Sequence, residues 1–96
     1  MGFVEVCNES DVQQGKGMSV EANGTVIALF NVNGTFYAIS GTCPHRGGPL
    51  GEGYLQDTTV TCPLHSWQFD VTNGKGMASV PTYPVKVENG KVFVDV

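Results

Sequence analysis

Four Asn-Gly pairs, at residues 23–24, 33–34, 73–74 and 89–90, constrain this 96-residue chain more than any other feature. Both residue types tolerate the positive φ angles of a two-residue type I′ turn, so Asn-Gly between strand-like residues predicts a β-hairpin. Thr25 to Val32 and Phe36 to Ile39 enclose the second pair. Val85 to Glu88 and Lys91 to Val96 enclose the fourth, alternating apolar and polar so that one face turns inward. Phe3 to Cys7, Met18 to Ala22, Thr58 to Thr61 and Ser66 to Asp70 are further strand candidates. No stretch has a helical period of useful length, and 13 glycines with 5 prolines supply turns. The expectation is one all-β domain, an antiparallel sandwich or small barrel.

Composition excludes several function classes. The net charge of −4 lacks the basic footprint that nucleic-acid binding needs. It suits a dissolved protein, and it suits docking onto basic patches, where complementary charge speeds encounter. No apolar run is long enough to span a bilayer, so no membrane association is expected. The start shows no basic or apolar leader region, and Val6 stands where a myristoylation pattern wants Ser or Thr. Three cysteines make a poor disulfide framework. The cytoplasm is the expected compartment.

Two short strings interrupt the strands. Cys43-Pro44-His45 lies in the turn-rich stretch 41–49, and Cys62-Pro63-Leu64-His65 follows the candidate strand Thr58 to Thr61. They hold both histidines of the chain and two of its three cysteines. Each reads as a proline-stiffened loop at a strand end. A thiolate pair with an imidazole pair admits two readings. One is a [2Fe–2S] cluster with both cysteines on one iron and both histidines on the other. The other is a structural Cys₂His₂ zinc site, whose arms usually pair like residues at wider spacing. The single residue between Cys43 and His45 favours the cluster.

The string C-P-H-R-G, then C-P-L-H followed closely by Trp67, Phe69 and Asp70, resembles the Rieske family over nearly the whole chain. The resemblance implies an antiparallel β-sandwich or small barrel with a loop-built cluster-binding subdomain, about 41–83, inserted in a β base formed by 1–40 and 84–96. It implies that Cys43 and Cys62 ligate one iron and His45 and His65 the other. Gly47-Gly48-Pro49 would form a first covering loop, Leu64 and Ser66 would lie in a second, and Pro81 in a third. Such a cluster is neutral when oxidised, whereas four thiolates leave it anionic, so the mixed ligand set raises the potential.

Departures narrow the resemblance. Respiratory and photosynthetic members add a disulfide where this chain has Gly48 and Leu64, and hydroxyl donors where it has Trp67 and Phe69. Losing donors to cluster sulfurs lowers the potential, to roughly −150 mV. The resemblance therefore points to the soluble ferredoxins of bacterial ring-hydroxylating dioxygenases. It implies a monomeric, non-catalytic one-electron carrier between a flavin-containing reductase and a terminal oxygenase, docking transiently around His45 and His65. The potential should fall at alkaline pH, once the oxidised form loses its imidazole protons. The alternative is the small Rieske-like subunit of a larger oxidoreductase such as assimilatory nitrite reductase.

Remaining residues carry structural expectations. Cys7 reads as a buried free thiol, Trp67 as packing beneath the second loop, and Met18 and Met77 as gap fillers. Asp70 reads as part of the turn toward Asn73-Gly74. Arg46 reads as solvated, with Glu52 or a redox partner as other contacts.

Overall fold

The computed structural model describes residues 2–44, 47–64 and 66–96. Among them are ten strands and two short 3₁₀ turns, with no α-helix. The strands are β1 (Phe3–Asn8), β2 (Lys16–Ala22), β3 (Thr25–Val32), β4 (Thr35–Ser40), β5 (Tyr54–Gln56), β6 (Thr59–Thr61), β7 (Gln68–Asp70), β8 (Thr82–Tyr83), β9 (Val85–Glu88) and β10 (Lys91–Asp95). They form three antiparallel sheets, ordered β1-β10-β9, β2-β3-β4-β8 and β5-β6-β7.

Three of the four Asn-Gly pairs make the expected turns. Asn23, Asn33 and Asn89 have φ of 51°, 54° and 52°, and the glycine after each is also positive. They join β2 to β3, β3 to β4, and β9 to β10 in two-residue hairpins.

The third pair, Asn73-Gly74, departs from this. Gly74 has φ 75° but Asn73 has no positive φ, and Phe69 bridges to Gly76. The longer connection is organised by Asp70, whose Oδ1 accepts from the Thr72 amide at 2.9 Å and hydroxyl at 2.6 Å. The Gly74 amide donates to the Asp70 carbonyl at 2.7 Å. A side chain that mimics a backbone turn outcompetes the tight hairpin here, and Asp70 is the turn residue it was expected to be.

The middle sheet divides the interior. Ile27 and Leu29 of β3, with Phe36 and Ala38 of β4, face a core closed by Val92 and Val94 of β10. Ala28, Phe30 and Ile39 face the opposite way, toward Leu50, Val60, Phe69 and Val71. A sheet covered on both faces needs no polar side, which explains why β3 reads as a continuous apolar run whereas β10 alternates. Gly17 pairs with Phe30, and a Cβ at Gly17 would collide with the Phe30 ring. The glycine lets that ring lie across β2.

Three short elements differ from expectation. β5 and β8 carry too few residues to show a period. β8 lies in the proline-bearing stretch 80–84 and pairs with β4, so Thr82 and Tyr83 belong to the middle sheet. β7 begins at Gln68 because Ser66 has φ 59°, a left-handed conformation outside any strand. Met18 packs against the core beneath the terminal sheet, but Met77 is 69% exposed and fills no gap. Its neighbour Gly76 is pressed against the Gln68 carbonyl, so backbone already occupies the inner side of that loop.

Candidate metal centre

Two loops of matching construction carry the expected ligands. The first leaves β4 and is drawn closed by the Thr42–Pro49 bridge and by the Leu50 amide donating to the Gly41 carbonyl at 3.0 Å. Inside it, the Cys43 amide donates to the Gly48 carbonyl at 2.8 Å, and the Gly47 amide returns to the Cys43 carbonyl at 2.7 Å. The second loop joins β6 to β7. There the Cys62 amide donates to the Trp67 carbonyl at 2.7 Å, and the Ser66 amide to the Cys62 carbonyl at 3.1 Å.

In both loops the cysteine opens the turn, the fifth residue after it accepts from its amide, and the fourth donates back to its carbonyl. That fourth residue, Gly47 or Ser66, has positive φ in each case, at 71° and 59°. The cysteine backbones are thereby held by two hydrogen bonds apiece. This equivalence was not legible in the sequence, because only one of the two left-handed positions is a glycine.

The side chains converge. Cys43 and Cys62 are each 1% exposed, both are free thiols, and both belong to the core formed with Phe30, Leu50, Val60 and Phe69. Trp67 packs against that core from the second loop, as expected. Val80 is buried in it, and the Pro81 carbonyl accepts from the Ser40 amide at 3.0 Å, which brings the third loop to the root of the first. His45, Arg46 and His65 lie outside the described residues.

Cys7 is not part of this assembly. It lies half-buried in β1, packing against the other core. Burial and the Asp11 carboxylate push its thiol up to about 11, so it stays protonated at neutral pH.

Residues 2–89 match the Rieske [2Fe-2S] domain. The chain belongs to the Rieske family. A curated relative, the 3-phenylpropionate/cinnamic acid dioxygenase ferredoxin subunit of Escherichia coli (strain K12), is 42% identical over 101 residues, spanning 99% of this chain and 94% of that protein. The ferredoxin of carbazole 1,9a-dioxygenase from Nocardioides aromaticivorans IC177 superposes with a TM-score of 0.90 at 26% identity, covering 98% of this chain and 97% of that one. A ferredoxin-containing structure, described as a complex of reduced oxygenase and oxidized ferredoxin in carbazole 1,9a-dioxygenase, superposes at 0.87 with 32% identity, covering 96% and 91%. The cofactor of a Rieske domain is a [2Fe–2S] cluster.

The described residues fit that group. Two buried, unbridged thiols on equivalent loops supply a sulfur pair within one core. A Cβ built on Gly48 would stand 2.8 Å from Cys62 Sγ, so the first loop wraps the second loop's sulfur at a distance that only glycine permits. Phe69 and Leu50 share the core with both thiols and would give a cluster held by them an apolar surround. No helix among the described residues is long and apolar enough to cross a membrane.

Proposed function

We propose that this chain is the ferredoxin component of a ring-hydroxylating dioxygenase system, carrying one electron at a time from a flavin-containing reductase to a terminal oxygenase. The paired loops that bury Cys43 and Cys62 on one side of the middle sheet carry this reading. The 42% identity to a dioxygenase ferredoxin subunit across 99% of the chain supports it.

In this reading Cys43 and Cys62 bind one iron as thiolates, and His45 and His65 bind the other as neutral imidazoles. The cluster supplies a reversible one-electron couple. The two backbone hydrogen bonds at each cysteine fix the loops from which the sulfurs would hold the cluster. Preorganisation of this kind limits what must move when an electron arrives. Phe69, buried directly in this core, has no hydroxyl to donate to a sulfur, which keeps the potential low.

The same reading gives a monomer in the cytoplasm. Its contacts with partners are transient and bury less than about 1,200 Å². Redox titration of the purified red-brown protein should take up one electron per chain at roughly −150 mV, and gel filtration should return it alone. A potential above zero, or a partner that stays bound through gel filtration, would favour a fixed subunit of a larger enzyme. A colourless protein containing zinc would remove the electron-carrier reading altogether.

A further inference from the structure

The only exposed large hydrophobic side chain among the described residues of the two ligand loops, Leu64, also lies against the opposite loop. Leu64 is 55% exposed, yet its Cγ and Cδ1 would stand 3.1 and 3.2 Å from a Cβ built on Gly48, beside Cys62 Sγ at 2.8 Å. Gly48 itself is buried. It carries no positive φ, so the reason for a glycine there is close approach rather than turn geometry. One side of Leu64 therefore rests on the backbone of the first loop while the other faces solvent. A leucine left half in water serves no core, and what it covers is the narrow gap between the loops where the Cys62 sulfur lies.

We infer that Leu64 is a positioning residue that seals the Cys62 sulfur from water by lying over Gly48. The inference rests on the reading of Cys62 as a cluster ligand. A side chain over that gap does two things. It denies water a hydrogen bond to the sulfur, and such bonds stabilise the added negative charge of the reduced state. It also stands between solvent-borne reagents and the Cys62 sulfur. Because Leu64 already exposes more than half its surface, truncating it costs little core packing and leaves the fold intact.

The test uses the holoprotein with Leu64→Ala and Leu64→Met. Val87→Ala serves as control, since Val87 is 39% exposed on β9, away from both loops. The expected result for Leu64→Ala is a higher reduction potential and a several-fold faster loss of visible absorbance when an iron chelator is added. Leu64→Met should restore both toward wild type, because length and apolarity are kept. Val87→Ala should change neither. An unchanged potential in Leu64→Ala, with or without faster bleaching, would overturn the seal, as would failure of Leu64→Met to rescue. Cys62→Ala separates this from the underlying reading: a variant that keeps a full cluster would show that Cys62 is not a ligand, whatever Leu64 does.

Discussion

The two cores share the middle sheet yet are closed in different ways. Beneath the terminal sheet, Val12, Val20, Ile27, Leu29, Val92 and Val94 form a hydrocarbon centre, with the Cys7 thiol and Met18 only at its margin, sealed by hairpins with ideal turns. On the other face, Phe30, Val60 and Phe69 share their interior with two thiols, and the covering elements are three-residue strands and loops. The first core is complete from its own side chains. The second has its polar sulfurs turned into an apolar interior with no disulfide between them, an arrangement that makes sense once a metal group accepts them. Both faces of the sheet are packed, but only one carries the paired thiols.

The largest effect should come from cutting the second core at a sulfur. Cys43→Ala should lose the cluster absorbance, and amide exchange should then accelerate across 54–71 while 16–40 stays protected. Equal acceleration in both regions would erase the distinction between the cores. Next comes Ile27→Ala, fully buried beneath the terminal sheet, which should cost roughly 2–5 kcal/mol in denaturant unfolding. Its reduction potential should match wild type. A shifted potential would mean that the middle sheet transmits packing changes to the cluster side.

A smaller pair of effects compares the loops. Gly47→Ala places a Cβ at φ 71° and should destabilise by about 1–2 kcal/mol. Ser66→Gly removes one at φ 59° and should be neutral or stabilising by up to about 1 kcal/mol, since glycine also loosens the unfolded chain. The melting temperature should therefore fall for Gly47→Ala and hold or rise for Ser66→Gly, and a comparable fall in both would break the equivalence of the loops.

The smallest effect concerns Cys7. Its folded-state value of about 11 lies above the 9.0 of a free thiol, so folding favours the protonated form. That contribution is complete below pH 9 and is lost as pH rises through 11. Cys7→Ala should flatten this part of the stability-versus-pH curve, read from melting temperatures between those values. An unaltered slope would place the loss at another group.

The pattern of legibility follows the reach of each interaction. Asn23-Gly24, Asn33-Gly34 and Asn89-Gly90 specify their hairpins locally, so three turns and the strands beside them could be read directly. The Cys-His spacing likewise pointed to both loops and to the cluster. β8 was hidden because its pairing with β4 spans about forty residues, and two residues carry no periodic signal. Ser66 adopts its left-handed φ only because the loop closes on Cys62, a demand that no serine advertises. Asp70 overrode Asn73-Gly74 through side-chain bonds to Thr72, which a dipeptide rule does not weigh. The contact of Leu64 with Gly48 joins two loops sixteen residues apart and exists only in three dimensions.

The central claim is that Cys43 and Cys62 hold one iron while His45 and His65 hold the other. Pulsed electron paramagnetic resonance of the reduced protein tests it most directly, because imidazole nitrogens bound to iron couple to the unpaired electron. The account predicts a rhombic signal with two such nitrogen couplings, falling to one or vanishing when either histidine is replaced. A reduced cluster without nitrogen coupling, or the same two couplings after His65→Ala, would contradict it.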